Sequence, residues 1–298
     1  MLAQVLLTPT ESKKFIAKAV AKTAVVQHAF REGIVALHPS TSTVFIVKEL
    51  TGKMPEARVI VCGLNSPEGA SGSMEADEAL AKDFEELTKL LKDDINAARQ
   101  SLRGFRYTFV VERGKLVIGM TLGEIIDKMG PNDVYIKGVN AVDPNDNVGV
   151  LIGNPVEGGS IGMVMSQSKN KGFKVVFPVG LEKLIPVPIK QAAEVAKMRN
   201  QVNYSMGSAC ALWPCEGIVI TELKAVEILS GGATATPISA GGLAGAEGAI
   251  TMLIKGNDEQ VTRVIKVIEE CKGAKLPREV RVRKIIHTGW DWRQARKS

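Results

Sequence analysis

Aromatic side chains are scarce, at 5% of a 298-residue chain in which 45% of residues are hydrophobic. A core with so few rings must be filled by Val, Ile, Leu and Ala, which suits parallel strands buried on both faces. Cysteine is also sparse. Cys62, Cys210, Cys215 and Cys271 are scattered, and only Cys210 and Cys215 lie close together, in CALWPC. His28, His38 and His287 add no ligand-like spacing to that pair, so structural zinc, which wants four N or S ligands, is not expected, and no other metal or cofactor is either. No apolar run approaches the ~18 residues that span a bilayer. The opening MLAQVLLTPTESKK lacks the basic start and long apolar stretch of a signal peptide, so a soluble, cytoplasmic protein without membrane contact is expected. Charge of one sign is not dominant, with a net of +6. Arg278 to Lys297 carries seven basic residues against two acidic ones, but no zinc-finger or RNP-like pattern accompanies them. Nucleic acid is therefore not an expected partner. A solvated face, an anionic ligand or an acidic subunit neighbour accounts for that stretch.

What the chain does have is concentrated in residues 134–162, VYIKGVNAVDPNDNVGVLIGNPVEGGSIG. Two apolar runs, Val134–Ile136 and Val148–Ile152, flank a turn built from Asp143, Pro144, Asn145, Asp146 and Asn147. Proline presets φ and Asx side chains bond to the local backbone, so such a run turns the chain. After the second run come Gly153, Asn154 and Pro155, then Glu157-Gly158-Gly159-Ser160-Ile161-Gly162. A carboxylate and glycines just past a buried strand stand where an α/β protein keeps its ligands. A tight strand-to-helix turn with no ligand is the plainer alternative.

Earlier in the chain, residues 11–31 read as one amphipathic helix, with Ile16, Ala19, Val20, Val26 and Phe30 at helical spacing and Thr23 in the one polar gap. Ile34–Leu37 then forms a short strand, followed by the loop 38–43 and a helix over Val44–Leu50 that stops at Gly52. A strand, a hydroxyl-rich loop and a helix start make an anion site, since unpaired N–H groups point outward there and Ser40, Thr41, Ser42 and Thr43 add donors. Ser40 or Ser42 serves equally well as a plain N-cap. Further strands are expected near 58–62 and 173–177, and a long charged amphipathic helix from Met74 to about Gln100. Beyond residue 203 the texture changes, with Gly217–Leu229, the glycine-rich GGATATPISAGGLAGAEG, a strand over Ala249–Lys255 and a helix over Asp258–Lys272. The alternation of strands and helices argues an α/β class, with residues 1–203 forming a mainly parallel sheet flanked by helices and 204–298 a smaller α+β domain.

Three stretches carry a family resemblance. They are KKFIAKAVAKTAVVQHAFREGIVALHPSTSTVFIVKEL, DVYIKGVNAVDPNDNVGVL and FKVVFPVGLEKLIPVPI. Their order resembles the sugar-isomerase/CoA-transferase superfold, which includes ribose-5-phosphate isomerase, glucosamine-phosphate deaminase and CoA transferases. The resemblance spans about residues 11–190 and implies an α/β fold with a phosphate loop at 38–43. Lys137 and Asn140 stand where the isomerase motif has two Asp residues, and His38-Pro39 replaces glycines of the phosphate loop. An aldose–ketose isomerisation needs a base to move a proton between adjacent carbons, a part that an amine of lowered pKa can play. Residues 157–162 are similar to the Glu-Asn-Gly-X-Leu-Gly loop of CoA transferases, with Gly158 in place of Asn. That similarity implies Glu157 as the group attacking a thioester, with glycine N–H groups holding the oxyanion.

Together these features suggest an enzyme acting on a small phosphorylated or CoA-linked metabolite. Glu157 and Lys137 are its candidate catalytic groups. Ser40, Thr41, Ser42, Thr43, Asn140, Asn154, Gly158, Gly159 and Ser160 are candidates to hold a small anionic metabolite. Lys137 also fits as a surface lysine beside a turn, and Asn140 as the cap of that turn. A metabolite-sensing module on the same fold, or a subunit of a homo-oligomer, accounts for the same residues without chemistry. The strands near 34–37, 58–62, 134–137, 148–152 and 173–177 are expected in one sheet, with loops 38–43, 137–140 and 153–160 converging at one edge.

Overall fold

The computed structural model describes residues 1–53, 59–61, 65–66, 69–70, 109–117, 120–153, 158–206, 209–276 and 280–282. The chain opens with β1 (Leu2–Leu7), α1 (Pro9–Lys22), α2 (Ala24–Glu32), β2 (Ile34–Leu37), α3 (Thr43–Thr51) and the short strands β3 (Val59–Val61), β4 (Asn65–Ser66) and β5 (Gly69–Ala70). Then come β6 (Phe109–Glu112), β7 (Lys115–Val117), α4 (Leu122–Lys128), β8 (Val134–Ile136), β9 (Ala141–Val142), β10 (Val148–Ile152), α5 (Gly159–Lys171) and β11 (Lys174–Pro178). A 3-10 turn at Leu181–Lys183 leads to α6 (Ile189–Ala196), β12 (Ala211–Cys215), β13 (Ile218–Ile220) and α7 (Glu222–Ser230). Last are β14 (Thr234–Ala240), β15 (Ile250–Lys255), α8 (Asp258–Glu269) and β16 (Val280–Val282). The long helix expected over 74–100 lies outside the described residues. Among the described residues no helix is long and apolar enough to cross a membrane.

The fold is α/β, as its sequence pattern implies. A six-stranded sheet in the order β13-β11-β8-β2-β6-β7 forms its centre. The first four strands are mutually parallel, and the β6–β7 hairpin adds antiparallel at the far side. Alternate side chains of these strands point to opposite faces. Val35, Leu37, Val134, Ile136 and Val176 join α1, α3, α7 and α8 in one apolar cluster. Ala36, Tyr135, Val175 and Phe177 join α4, α5 and β10 in the other. Both faces are buried, which is why these strands read as unbroken apolar runs.

Two expected members of this sheet are elsewhere. The Val148–Ile152 strand lies antiparallel between β9 and β12 in a separate three-stranded sheet. The turn at 143–147 is the reason, because so short a connection closes a hairpin and a hairpin pairs antiparallel. The Val59–Val61 strand pairs in parallel with Val280–Val282 instead. The helix expected over 11–31 is also divided. Thr23 adopts an extended conformation, with φ −63° and ψ 141°, and its hydroxyl donates to the Val20 carbonyl at 2.8 Å. The polar gap in the apolar stripe is thus the end of one helix and the N-cap of the next.

Chain segments distant in sequence close the structure. β1 pairs antiparallel with β15 over six residues, and β14 completes that sheet. β13 extends the central sheet beside β11, and β12 pairs with β10, so residues on both sides of 203 share sheets and core.

Candidate functional site

Four parallel neighbours, β2, β8, β11 and β13, deliver their C-terminal ends to one edge of the central sheet. The segments arriving there are 38–43, 137–140, 179–183 and 221–222. A parallel sheet places its ligand crevice at this edge, since the loops converge and the helix N-termini point into it.

The 38–43 loop is held by its own polar groups. The His38 N–H donates to the Ile136 carbonyl at 2.9 Å, which extends the β2–β8 ladder by one residue. Ser40 Oγ accepts the Thr43 N–H at 3.2 Å, and Thr43 Oγ1 accepts the Ser40 N–H at 2.9 Å while donating to the His38 carbonyl. Two of the four candidate hydroxyls are therefore engaged in shaping the start of α3. Ser42 takes the N-cap position without a side-chain cap bond and is 5% exposed; Thr41 is partly buried.

Lys137 follows β8 directly. Its N–H donates to the Val176 carbonyl at 3.1 Å, and the residue is 8% exposed. It is a buried cation rather than a surface lysine. Its charge reaches two neighbours. Burial, reinforced by Lys137, holds His38 well below the usual histidine value, so the ring is neutral at pH 7. Its Nδ1 lies 3.2 Å from the Tyr135 hydroxyl. Burial pushes the Cys215 thiol up to about 12 against the pull of Lys137, which leaves it protonated and unreactive.

Gly138 brings the two loops together. A methyl group in place of its hydrogen would sit 3.1 Å from Ser40 Oγ and 3.7 Å from Ser42 Oγ. Asn140 works as a strand tie. Its N–H donates to the Gly149 carbonyl at 2.9 Å, and its Oδ1 accepts the Leu151 N–H at 3.0 Å, fastening the loop to β10.

The third expected loop has a different setting. It follows β10, which lies in the antiparallel β12-β10-β9 sheet, so no strand of the parallel sheet leads into it. Gly158 has φ +70° at the N-cap of α5, with the Trp213 ring 2.8 Å from where a Cβ would lie. Gly159 and Ser160 are exposed in the first turn of α5. Glu157 and Asn154 lie outside the described residues.

The same edge holds charged groups that the motif reading passed over. Glu222 follows β13, is fully buried, and accepts the Leu181 N–H on both carboxylate oxygens, at 3.0 and 3.2 Å. Burial, with the Glu182 carboxylate nearby, raises it to about 7, against the opposing influence of the nearby Ser12 hydroxyl and the Leu181 N–H. Lys183 Nζ donates to the Val139 carbonyl at 2.9 Å. Burial lowers its ammonium, opposed by Glu182 and Glu222 and aided by Lys13. The Glu182 carboxylate oxygens are shut off from solvent and have no hydrogen-bond partner among the described residues. A signal for these residues was present, because GLEK and TE each follow an apolar run directly. Among the described residues no group of three or more His, Cys, Asp or Glu is arranged to hold a metal ion.

No family model matches the chain, and no curated protein matches it. Among solved structures, one described as a D-ribose-5-phosphate isomerase in complex with phospho-erythronic acid aligns with 83% of this chain and 79% of its own, at 15% identity and a TM-score of 0.28.

Proposed function

We propose that this protein is an enzyme acting on a small phosphorylated or CoA-linked metabolite, in an isomerase or transferase type of reaction. The anionic group is held by Lys137 together with the 38–43 loop and the N-terminus of α3. Glu157 is the proton acceptor or nucleophile. The observation that supports this reading is the close approach of Gly138 to Ser40 and Ser42, which brings the residue after the buried Lys137 next to the start of α3 at the C-terminal edge of a parallel sheet.

Thermal-shift screening against sugar phosphates, CoA thioesters and sulfate tests the binding half. An anion should stabilise the parent protein with a steep salt dependence, and Lys137→Met should lose that effect. Glu157→Gln should keep the anion shift and lower turnover by ~10²-fold or more. If no anion stabilises the protein, the reading is wrong. If Glu157→Gln keeps full activity on the ligand found, its assigned role is wrong.

A second reading is a metabolite-sensing module on the same fold. It is favoured by the commitment of the Asn140 amide to Leu151 and of the Ser40 and Thr43 hydroxyls to each other, which leaves fewer groups for chemistry. Ligand binding by the intact protein without turnover of any compound that binds would decide for it.

A further inference from the structure

The buried polar groups at the far end of this edge form a continuous mechanical link to Lys137. Glu222, at the end of β13, holds the Leu181 N–H between its two oxygens. Leu181 opens the 3-10 turn after β11, closed by Lys183 N–H to the Gly180 carbonyl at 3.0 Å. From that turn Lys183 Nζ reaches across to the Val139 carbonyl, two residues beyond Lys137. The chain just past the turn is tied to the same hairpin, since the Ile185 N–H donates to the Val142 carbonyl at 2.9 Å. Three strand ends, β13, β11 and β8, are thus joined in sequence. The β8 end gains from such a hold, because residues 137–140 include Gly138, whose backbone is less restricted than that of other residues.

We infer that Lys183 and Glu222 are positioning residues for the anion site: Glu222 fixes the turn after β11, and Lys183 carries that hold to the loop presenting Lys137. This inference rests on the reading of Lys137 and loop 38–43 as that site. Lysine suits the task because an ammonium donates to a carbonyl in any direction, whereas a neutral donor would leave Glu182 and Glu222 without a counter-charge. The groups facing Glu222 are the Ser12 hydroxyl from α1, Glu182, and the Leu181 N–H; Lys183 in turn faces Lys13 from α1. Ionised Glu222 accepts the Leu181 N–H more strongly than the protonated acid does. The bond to the Leu181 N–H is therefore strongest above neutral pH, even though ionising this buried carboxyl costs the fold as a whole some stability there.

Sulfate is the probe, since its charge is constant between about pH 6 and pH 8 while that of phosphate is not. Its affinity is measured by calorimetry at fixed ionic strength on the full chain and on Lys137→Met, Lys183→Met, Lys183→Arg and Glu222→Gln, with melting temperatures recorded for each. Lys183→Met should weaken sulfate by about tenfold, the loss of one charged hydrogen bond. Lys183→Arg should restore most of it by donating to the same carbonyl. The parent should bind more tightly at pH 8 than at pH 6, and Glu222→Gln should remove that difference. Should Lys183→Met not fold, the Glu222→Gln pH profile and the arginine variant still decide the matter. Parent-like affinity in Lys183→Met, or an affinity that falls as pH rises, would overturn the inference, the latter showing simple repulsion by a new carboxylate. Absence of sulfate binding to the parent, or parent-like binding by Lys137→Met, overturns the site itself and the inference with it.

Discussion

Asp143→Asn tests how the hairpin beside the site is held. Asp143 is 1% exposed and every polar contact it makes is with a donor. Its Oδ1 accepts the N–H groups of Asn145 at 2.9 Å and Asn147 at 3.0 Å and the Asn147 amide at 3.1 Å. Its Oδ2 accepts the same amide at 2.9 Å and the Ile189 N–H at 3.0 Å. One carboxylate thus closes the β9–β10 turn and anchors the first residue of α6. Burial would raise this carboxyl, but the Ile189 N–H, followed by the Asn147 side chain and the remaining N–H groups, outweighs it and holds the group below its ordinary 3.8. Asparagine keeps the shape yet aims an NH₂ at a donor whichever way it is turned. The loss is one buried N–H left unpaired, at ~1–3 kcal/mol, plus the weakening of charge-assisted bonds, for a total of about 3 kcal/mol. Urea denaturation at pH 7 should show that difference. A carboxyl held below its ordinary value stabilises the fold above that value and loses the effect as pH falls through the folded one. The gap between parent and variant should therefore be full at pH 7 and narrow below about pH 4. A variant within ~0.5 kcal/mol of the parent at pH 7, or a gap that does not narrow in acid, would refute the argument.

Two further outcomes follow from the buried groups. Glu222 is raised from 4.5 to about 7, so its contribution to stability is fully present below pH 4.5 and is lost as pH rises through the folded value. At ~1.4 kcal/mol per pH unit this amounts to roughly 3 kcal/mol; denaturation from pH 5 to pH 8 should show such a decline in the parent and a flatter profile in Glu222→Gln, and equal slopes would count against it. Gly158→Ala places a Cβ 2.8 Å from the Trp213 ring at a φ of +70°, and the backbone and packing costs together should destabilise the protein by about 3 kcal/mol by the same assay. A neutral result there would mean that β12 and α5 separate freely.

Local sequence was enough for the pieces that carry their own physics. Apolar runs without polar alternation marked β2, β8 and β11, because strands buried on both faces admit nothing else. Asp-Pro-Asn-Asp-Asn marked the turn at 143–147, and Gly52, with φ +69°, marked the end of α3. The hydroxyl loop at 38–43 was legible as the start of a helix following a strand. Local sequence did not determine which strand lies beside which. Backbone N–H and C=O groups are the same in every residue, so β10 presents the same ladder to β12 as it would to a parallel neighbour. The 143–147 turn closes its hairpin with β9, but its pairing with β12 joins segments about sixty residues apart and was a tertiary outcome. The pairing of β1 with β15 joins residues about 250 positions apart, and nothing within either strand names its partner. Burial of charge was equally a tertiary decision. Lys137 reads as an ordinary lysine, and Glu222 as a carboxylate in the first turn of a helix, until neighbouring strand ends close over them. Desolvation depends on what packs around a group, and for both residues those neighbours come from elsewhere in the chain.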